Sequence, residues 1–226
     1  EIANKYKTEL LKKKVCVCGK LDPMAHGDLL LLFDEDCSHM DRYLTLDKIY
    51  TFQILWGVKT DTDDVLGKII EKDTNIKLTT TILNTVINNY IGVYKQPFHN
   101  FSSIHIKHNG ERKPLWKWTL ENKLDLITIP DKQVSVKYIK LLNLVENDFA
   151  TIKKNILESI SNVKGDFRQS TIVEDWNECK FDKVYTSTFE AYVSTGFYIR
   201  QLVKDISNTL NVPGVTLEIY REKIIE

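Results

Sequence analysis

Asp22 is the first residue of this sequence placed to do covalent chemistry. It lies in Cys18-Gly19-Lys20-Leu21-Asp22-Pro23-Met24-Ala25-His26-Gly27-Asp28-Leu29, a carboxylate between a leucine and a rigid proline with glycines on both sides. Such an aspartate either caps its own backbone in a turn or is a reactive carboxylate held on that turn. The local residues leave both readings open. A second cluster of carboxylates, Thr60-Asp61-Thr62-Asp63-Asp64 before Gly67, looks like a metal loop but lacks the ligand spacing and terminal bidentate glutamate of a calcium site. Tyr50 offers an aromatic face and a hydroxyl, yet it is also one of a core stripe with Phe52, Ile54 and Trp56.

The elements that would position these groups follow from periodicity. Ile2, Tyr6, Leu10 and Leu11 predict an amphipathic helix over 2–13, ended by Lys12-Lys13-Lys14 at the negative end of its dipole. Val15 to Val17 predicts a strand entering the Asp22 turn, with Cys16 and Cys18 on opposite faces, and Leu29 to Phe33 a buried strand or short helix. Lys48 to Val58 alternates as a strand. Ile82 to Ile91 predicts a helix with Gly92 as its left-handed cap. Ile104 to Lys107 predicts a strand before an Asn109-Gly110 turn, and Trp116 and Trp118, two apart, suit an extended segment. A strand over Val134 to Val145, a helix through Ile152, Ile156, Leu157 and Ile160, an excursion from Asp166 to Trp176, a strand over Val184 to Val193 and a helix from Tyr198 to Leu210 complete the chain. Val215 to Ile225 reads as a helix end or a strand. Strands and helices mix without a βαβ rhythm, which predicts a single α+β domain.

Composition sets bounds. With 226 residues, 42% hydrophobic and 27% charged, the chain can bury a full core. No apolar run approaches a membrane span. Four cysteines without ligand-spaced partners argue for reduced structural thiols in an intracellular compartment, cytoplasm or nucleus, and against a zinc site. The chain begins at Glu1, so an organelle address with a targeting segment upstream stays open. With 31 basic and 31 acidic residues, any hold on a polyanion must come from a patch, for which Lys12, Lys13, Lys14 and Lys20 are candidates.

Four segments resemble one family, the TruB-type pseudouridine synthases. Gly19-Lys20-Leu21-Asp22-Pro23-Met24-Ala25-His26-Gly27-Asp28-Leu29 resembles its G-x-L-D-P-x-A-x-G-x-L signature. Lys48-Ile49-Tyr50, Gly57 and Thr60 to Gly67 resemble its K-x-Y…G-x-x-T-D-T-x-D-x-x-G segment. Gln96-Pro97 with Phe101-Ser102-Ser103 is similar to a worn Q-x-P-x-Y-S-A element. Gly196-Phe197-Tyr198-Ile199-Arg200-Gln201-Leu202-Val203-Lys204-Asp205-Ile206 is similar to G-x-Y-I-R-x-L-x-x-D-I, in a form closer to the eukaryotic branch.

The resemblance implies a catalytic domain over 1–226 with a mixed, largely antiparallel central sheet flanked by helices. It implies an isomerase that converts a uridine of RNA to pseudouridine, uridine 55 in the T-loop of tRNA being the usual target. By position Asp22 matches the catalytic aspartate, Tyr50 the active-site tyrosine and Arg200 the arginine that pairs with the aspartate in a bidentate fork. Tyr198 matches the aromatic two places before that arginine, and Ile219 and Arg221 match a hydrophobic residue and an arginine at the end of the domain; with Lys20, these are the candidate substrate-binding residues. No cofactor and no metal are implied. RNA is the partner and a monomer the expected state. The chain departs from the pattern in carrying Val17 where the family has a histidine, Lys20 where small residues are commoner and Thr195 in place of a lysine. Neither the opening K-P-x-G-x-T-S segment nor a PUA domain is expected within residues 1–226, and an insertion is expected over about 147–186. These departures motivate an alternative, a catalytically weak RNA-binding or tRNA-folding protein that keeps the fold. Trp116 and Trp118 are either stacking platforms for RNA or core residues.

Overall fold

The computed structural model describes residues 2–225. Its elements, in chain order, are α1 (Ile2–Glu9), β1 (Val15–Cys18), β2 (Ala25–Gly27), β3 (Leu30–Phe33), α2 (Met40–Leu44), β4 (Asp47–Trp56), β5 (Val58–Thr60), β6 (Ile69–Lys72), α3 (Thr80–Asn88), β7 (Gly92–Pro97), β8 (His105–His108), β9 (Glu111–Pro114), α4 (Leu115–Leu120), β10 (Asp131–Asp148), α5 (Phe149–Asn162), α6 (Gln169–Glu178), β11 (Lys183–Val193), α7 (Ile199–Leu210) and β12 (Gly214–Ile225). None of these helices is long and apolar enough to cross a membrane.

Six strands form the central sheet in the order β2-β12-β4-β11-β10-β7. Every pairing in it is antiparallel except β12 with β2. This is the mixed, largely antiparallel sheet that the resemblance implied. Alternation along β4 explains how the sheet is covered: Phe52, Ile54 and Trp56 face one core with α3 and α7, while Leu55 faces a second core. Thr79 caps α3 by accepting from Ile82 N, and Asp148 caps α5 by accepting from Thr151 N.

The second core is built largely by the segment read as an insertion, about 147–186. Phe149, Ile156 and Ile160 of α5 and Ile172 and Trp176 of α6 are buried with Leu55, Val58, Val65 and Val215. Burial of each such aliphatic or phenyl side chain contributes about 1.5–3 kcal/mol. Trp176 Nε1 donates to Val65 O at 3.0 Å, so the helix pair is sealed onto the loop that carries Asp64.

Several expectations change. α1 ends at Glu9, and Leu11 turns left-handed at φ 52° and is 91% exposed, so the predicted apolar face packs little; the side chain of Ile2 lies outside the described residues. Cys16 and Cys18, two apart on a strand, share a face and pack toward Cys37. Helix α3 ends at Asn88, and Gly92 opens β7 instead of capping it. Trp116 and Trp118 stand on a helix, α4, started after Pro114. Val215 to Ile225 is a strand.

Candidate active site

The Asp22 turn sits between β1 and β3, which pair from Val15↔Phe33 to Cys18↔Leu30. Ala25 N donates to Asp22 O at 2.9 Å and closes the turn. Arg221 on β12 fastens both ends of the loop: Nε donates to Asp28 O at 2.6 Å and Nη1 to Gly19 O at 2.9 Å. Its Nη2 is buried and has no hydrogen-bond partner among the described residues. Gly27 has φ 111°, and a Cβ there would lie 2.7 Å from Arg221 N, so the close β2–β12 approach requires glycine.

Arg200 enters from the first turn of α7. The preceding residue pair is held to β7, with Tyr198 N donating to Gln96 Oε1 at 2.8 Å and Gln96 Nε2 to Tyr198 O at 3.1 Å. The Arg200 side chain is 5% exposed; Nε donates to Asp22 Oδ2 at 2.8 Å and Nη1 to Thr62 O at 3.2 Å, and Nη1 lies 3.2 Å from Asp64 Oδ2. One guanidinium thus bridges two carboxylates. The expected bidentate fork on Asp22 alone is corrected to this bridge, because Asp64 approaches the same guanidinium.

Each carboxylate of the Thr60–Asp64 loop has its own cation. Asp61 takes both terminal nitrogens of Arg168 at 2.7 and 3.3 Å. Asp63, left-handed at φ 56°, meets His99 Nε2 at 3.0 Å and Lys204 Nζ at 3.2 Å. Asp64 meets Arg200 and accepts from Thr62 Oγ1 at 2.8 Å and Leu66 N at 2.9 Å. Among the described residues no group of three or more His, Cys, Asp or Glu is arranged to hold a metal ion.

Burial works against the Arg200 charge, but Asp22 and Asp64 more than offset it and hold the guanidinium above its ordinary value. Burial pushes the Asp64 carboxyl up, against the pull of Arg200 and Thr62. Burial also raises the Tyr50 phenol, with Arg221 opposing, and the Tyr198 phenol, with the Asp22 charge adding to it.

A cavity of about 680 Å³ opens over Asp22. Asp22, Lys20, Tyr198 and Arg200 line it, together with Thr62, Asp64, Phe101, Trp116, Phe167 and Arg168. The Asp22 side chain is 35% exposed and reachable from it. Tyr50, Ile219 and Arg221 do not line this cavity; they lie in the sheet beneath the turn, where Ile219 pairs with Ala25 and Arg221 with both Gly27 and Tyr50. The Asp22 charge still reaches the Tyr50 phenol. Of the two tryptophans, Trp118 is core and Trp116 faces the cavity. Sequence reasoning did not find Phe167, Arg168 or His99. Asp64 was legible as the last aspartate of the T-D-T-x-D segment, but its place beside Arg200 was not.

The sequence matches the model of the TruB family pseudouridylate synthase N-terminal domain over residues 7–159. The tRNA pseudouridine synthase B of Mycoplasma mobile is 30% identical over 222 residues, covering 98% of this chain and 62% of that protein. That of Ehrlichia ruminantium is 37% identical over 105 residues, covering 46% and 35%. That of Thermotoga maritima is 25% identical over 224 residues, covering 99% and 58%. The chain therefore spans from 35% to 62% of the length of these relatives. A solved Cbf5-Nop10-Gar1 complex contains a chain of the same fold, with TM-score 0.55 and 15% identity, covering 99% of this chain and 44% of that one.

Proposed function

The chain belongs to the TruB family of pseudouridylate synthases, and from that premise we propose that it isomerises a flipped uridine of RNA to pseudouridine, with uridine 55 in the T-loop of tRNA as the target. The observation that carries the reading is the Asp22–Arg200 pair at the floor of a cavity, joined by residues 178 apart in sequence. A pure RNA-binding surface has no use for a carboxylate there, since it would repel phosphates.

The reaction breaks the bond between ribose C1′ and uracil N1, turns the base and joins C1′ to C5; N1 gains a proton and C5 gives one up. A stacked uridine is out of reach, so the nucleotide has to leave its stack and enter the cavity, losing a few kcal/mol of stacking. Asp22 serves as the nucleophile. Arg200 fixes the aspartate's orientation through the Nε–Oδ2 hydrogen bond at 2.8 Å. Tyr198 gives the cavity an aromatic wall, which Phe98 supports edge-on at 5.7 Å. Tyr50, its phenol raised by burial, is assigned to the transfer of the C5 proton; it lies under the Asp22 turn and outside the cavity lining, so the base must pass that turn to reach it. Lys20, exposed at the mouth, attracts the RNA backbone.

In this reading residues 1–226 act as one catalytic domain, a monomer, with about 147–186 inserted between the long central strands. The four free cysteines suit a reducing intracellular compartment. Incubation with an unmodified tRNA transcript, followed by mapping of pseudouridine, tests the proposal. Modification of the T-loop uridine is expected, and a transcript left unmodified would overturn it.

A further inference from the structure

We propose that the loop Gly165-Asp166-Phe167-Arg168 is a base-stacking subsite for a nucleotide flanking the target uridine. This rests on the RNA-synthase reading above and goes beyond it, since the loop lies outside the four segments that carry the family resemblance.

The α5–α6 pair serves mostly to bury its own core, but its connecting loop does something else. Asp166, Phe167 and Arg168 reach the cavity that holds Asp22. The loop is built to be rigid. Gln169 brackets it, with Nε2 donating to Gly165 O at 2.7 Å and Val163 O at 3.3 Å, while Oε1 accepts from Phe167 N at 2.8 Å. Arg168 is bolted to Asp61 through both terminal nitrogens, and Asp175 on α6 accepts from Ile69 N at 3.2 Å. Such anchoring removes the entropy cost of ordering a loop on binding.

The chemistry of the loop selects a base over a phosphate. Its guanidinium is already committed to Asp61. Asp166 is exposed and would repel a phosphate. What remains is the Phe167 ring, 37% exposed and seated directly over Gly165, where a Cβ would lie 2.9 Å from the ring. Gly165 has φ 113°, so glycine supplies both the conformation and the seat. A flat apolar ring, fixed at the wall of a cavity whose floor holds the carboxylate, is suited to stack on an unpaired base of a loop that has already lost one nucleotide from its stack.

The test is binding of an unmodified tRNA transcript by the full chain across a salt series, with pseudouridine formation measured in parallel. Phe167→Ala is expected to weaken Kd about tenfold, the size of one base–aromatic stack. The slope of log Kd against log salt should stay at the wild-type value, because no counterion-releasing contact is lost. Phe167→Trp should bind within about twofold of wild type, having kept a ring to stack on, and Glu174→Ala on the exposed side of α6 should be silent. A Phe167→Ala variant that binds like wild type, or that flattens the salt slope, overturns the subsite. If wild type binds the transcript but makes no pseudouridine, the synthase reading falls while the Phe167 comparison still decides the subsite. Absence of any RNA binding by wild type overturns both.

Discussion

Arg200 gives Asp22 a single hydrogen bond, Nε to Oδ2 at 2.8 Å, and turns Nη1 to Asp64 Oδ2 at 3.2 Å. The reactive-looking carboxylate and a fully enclosed one are therefore held by the same cation. A lysine at this position has one nitrogen and cannot reach both carboxylates and Thr62 O together. Arg200→Lys is expected to lower the rate of pseudouridine formation roughly 100-fold through misplacement of Asp22. It should also destabilise the fold by about 1–3 kcal/mol, since a single ammonium leaves at least one of the three buried acceptors without its donor. Single-turnover kinetics and urea denaturation measure the two effects. Near-wild-type values in both would mean that a point charge suffices and the bridge is incidental.

Asp22→Asn keeps the size of the side chain and removes its charge. Turnover should vanish in this variant and in Asp22→Ala, while binding of the tRNA transcript changes only a few-fold, because the rest of the cavity wall is intact. Stability should fall less than for Arg200→Lys, as Arg200 retains Asp64 and Asp22 is itself partly exposed. Pseudouridine made at a near-normal rate by either variant would exclude Asp22 as the nucleophile.

Local rules made much of the scaffold legible in the sequence. Alternation through Tyr50, Phe52, Ile54 and Trp56 marked β4, and the apolar run after Leu29 marked β3 as one of two options. The pairing of Asp22 with Arg200 was legible only through the family resemblance, since nothing near either residue announces a partner 178 positions away. Spacing misled at Trp116 and Trp118, because two residues two apart also fit a single helical turn when one side faces a core and the other a cavity. Phe167 and Arg168 could not be read at all. Their role depends on a loop folding back over the Asp61 turn, and no periodicity encodes that.

His99 makes the fold acid-sensitive. Phe101 N donates to its Nδ1 at 3.2 Å, so the proton resides on Nε2, which faces Asp63 Oδ2 at 3.0 Å. Burial holds the imidazole below its ordinary value of 6.5, against the hydrogen bond that Nε2 donates to Asp63. Below that pH the unfolded chain takes up a proton that the folded chain refuses, so stability is full above about 6.5 and declines as pH falls toward the folded value. Burial alone would raise the Asp63 carboxyl, but the His99 bond and Lys204 reverse this and hold it below 3.8, so its own loss comes only at lower pH. The urea midpoint should be level from about pH 8 to 7 and drop as pH falls below about 6.5. His99→Asn should remove most of that drop, at a cost of about 1–3 kcal/mol at neutral pH from the unpaired groups it leaves. A wild-type midpoint that stays level down to pH 5 would refute the assignment.

Arg221 separates a positioning role from a substrate contact. The family resemblance implies substrate binding, yet the side chain is 1% exposed and its donors close on Gly19 O and Asp28 O, the two ends of the Asp22 loop. A clamp and an RNA contact make opposite predictions. If Arg221 is the clamp, Arg221→Met releases the loop: the rate at saturating RNA falls roughly 100-fold, while the salt dependence of binding stays as in wild type. Thermal stability also drops, by about 1.5–3 kcal/mol for each charge-assisted bond removed. If instead Arg221 touches a phosphate, binding weakens and the salt slope falls by about one, with the saturated rate preserved. The burial of Arg221 favours the first outcome, because a guanidinium sealed from solvent has no path to the RNA backbone unless the loop it holds has already opened.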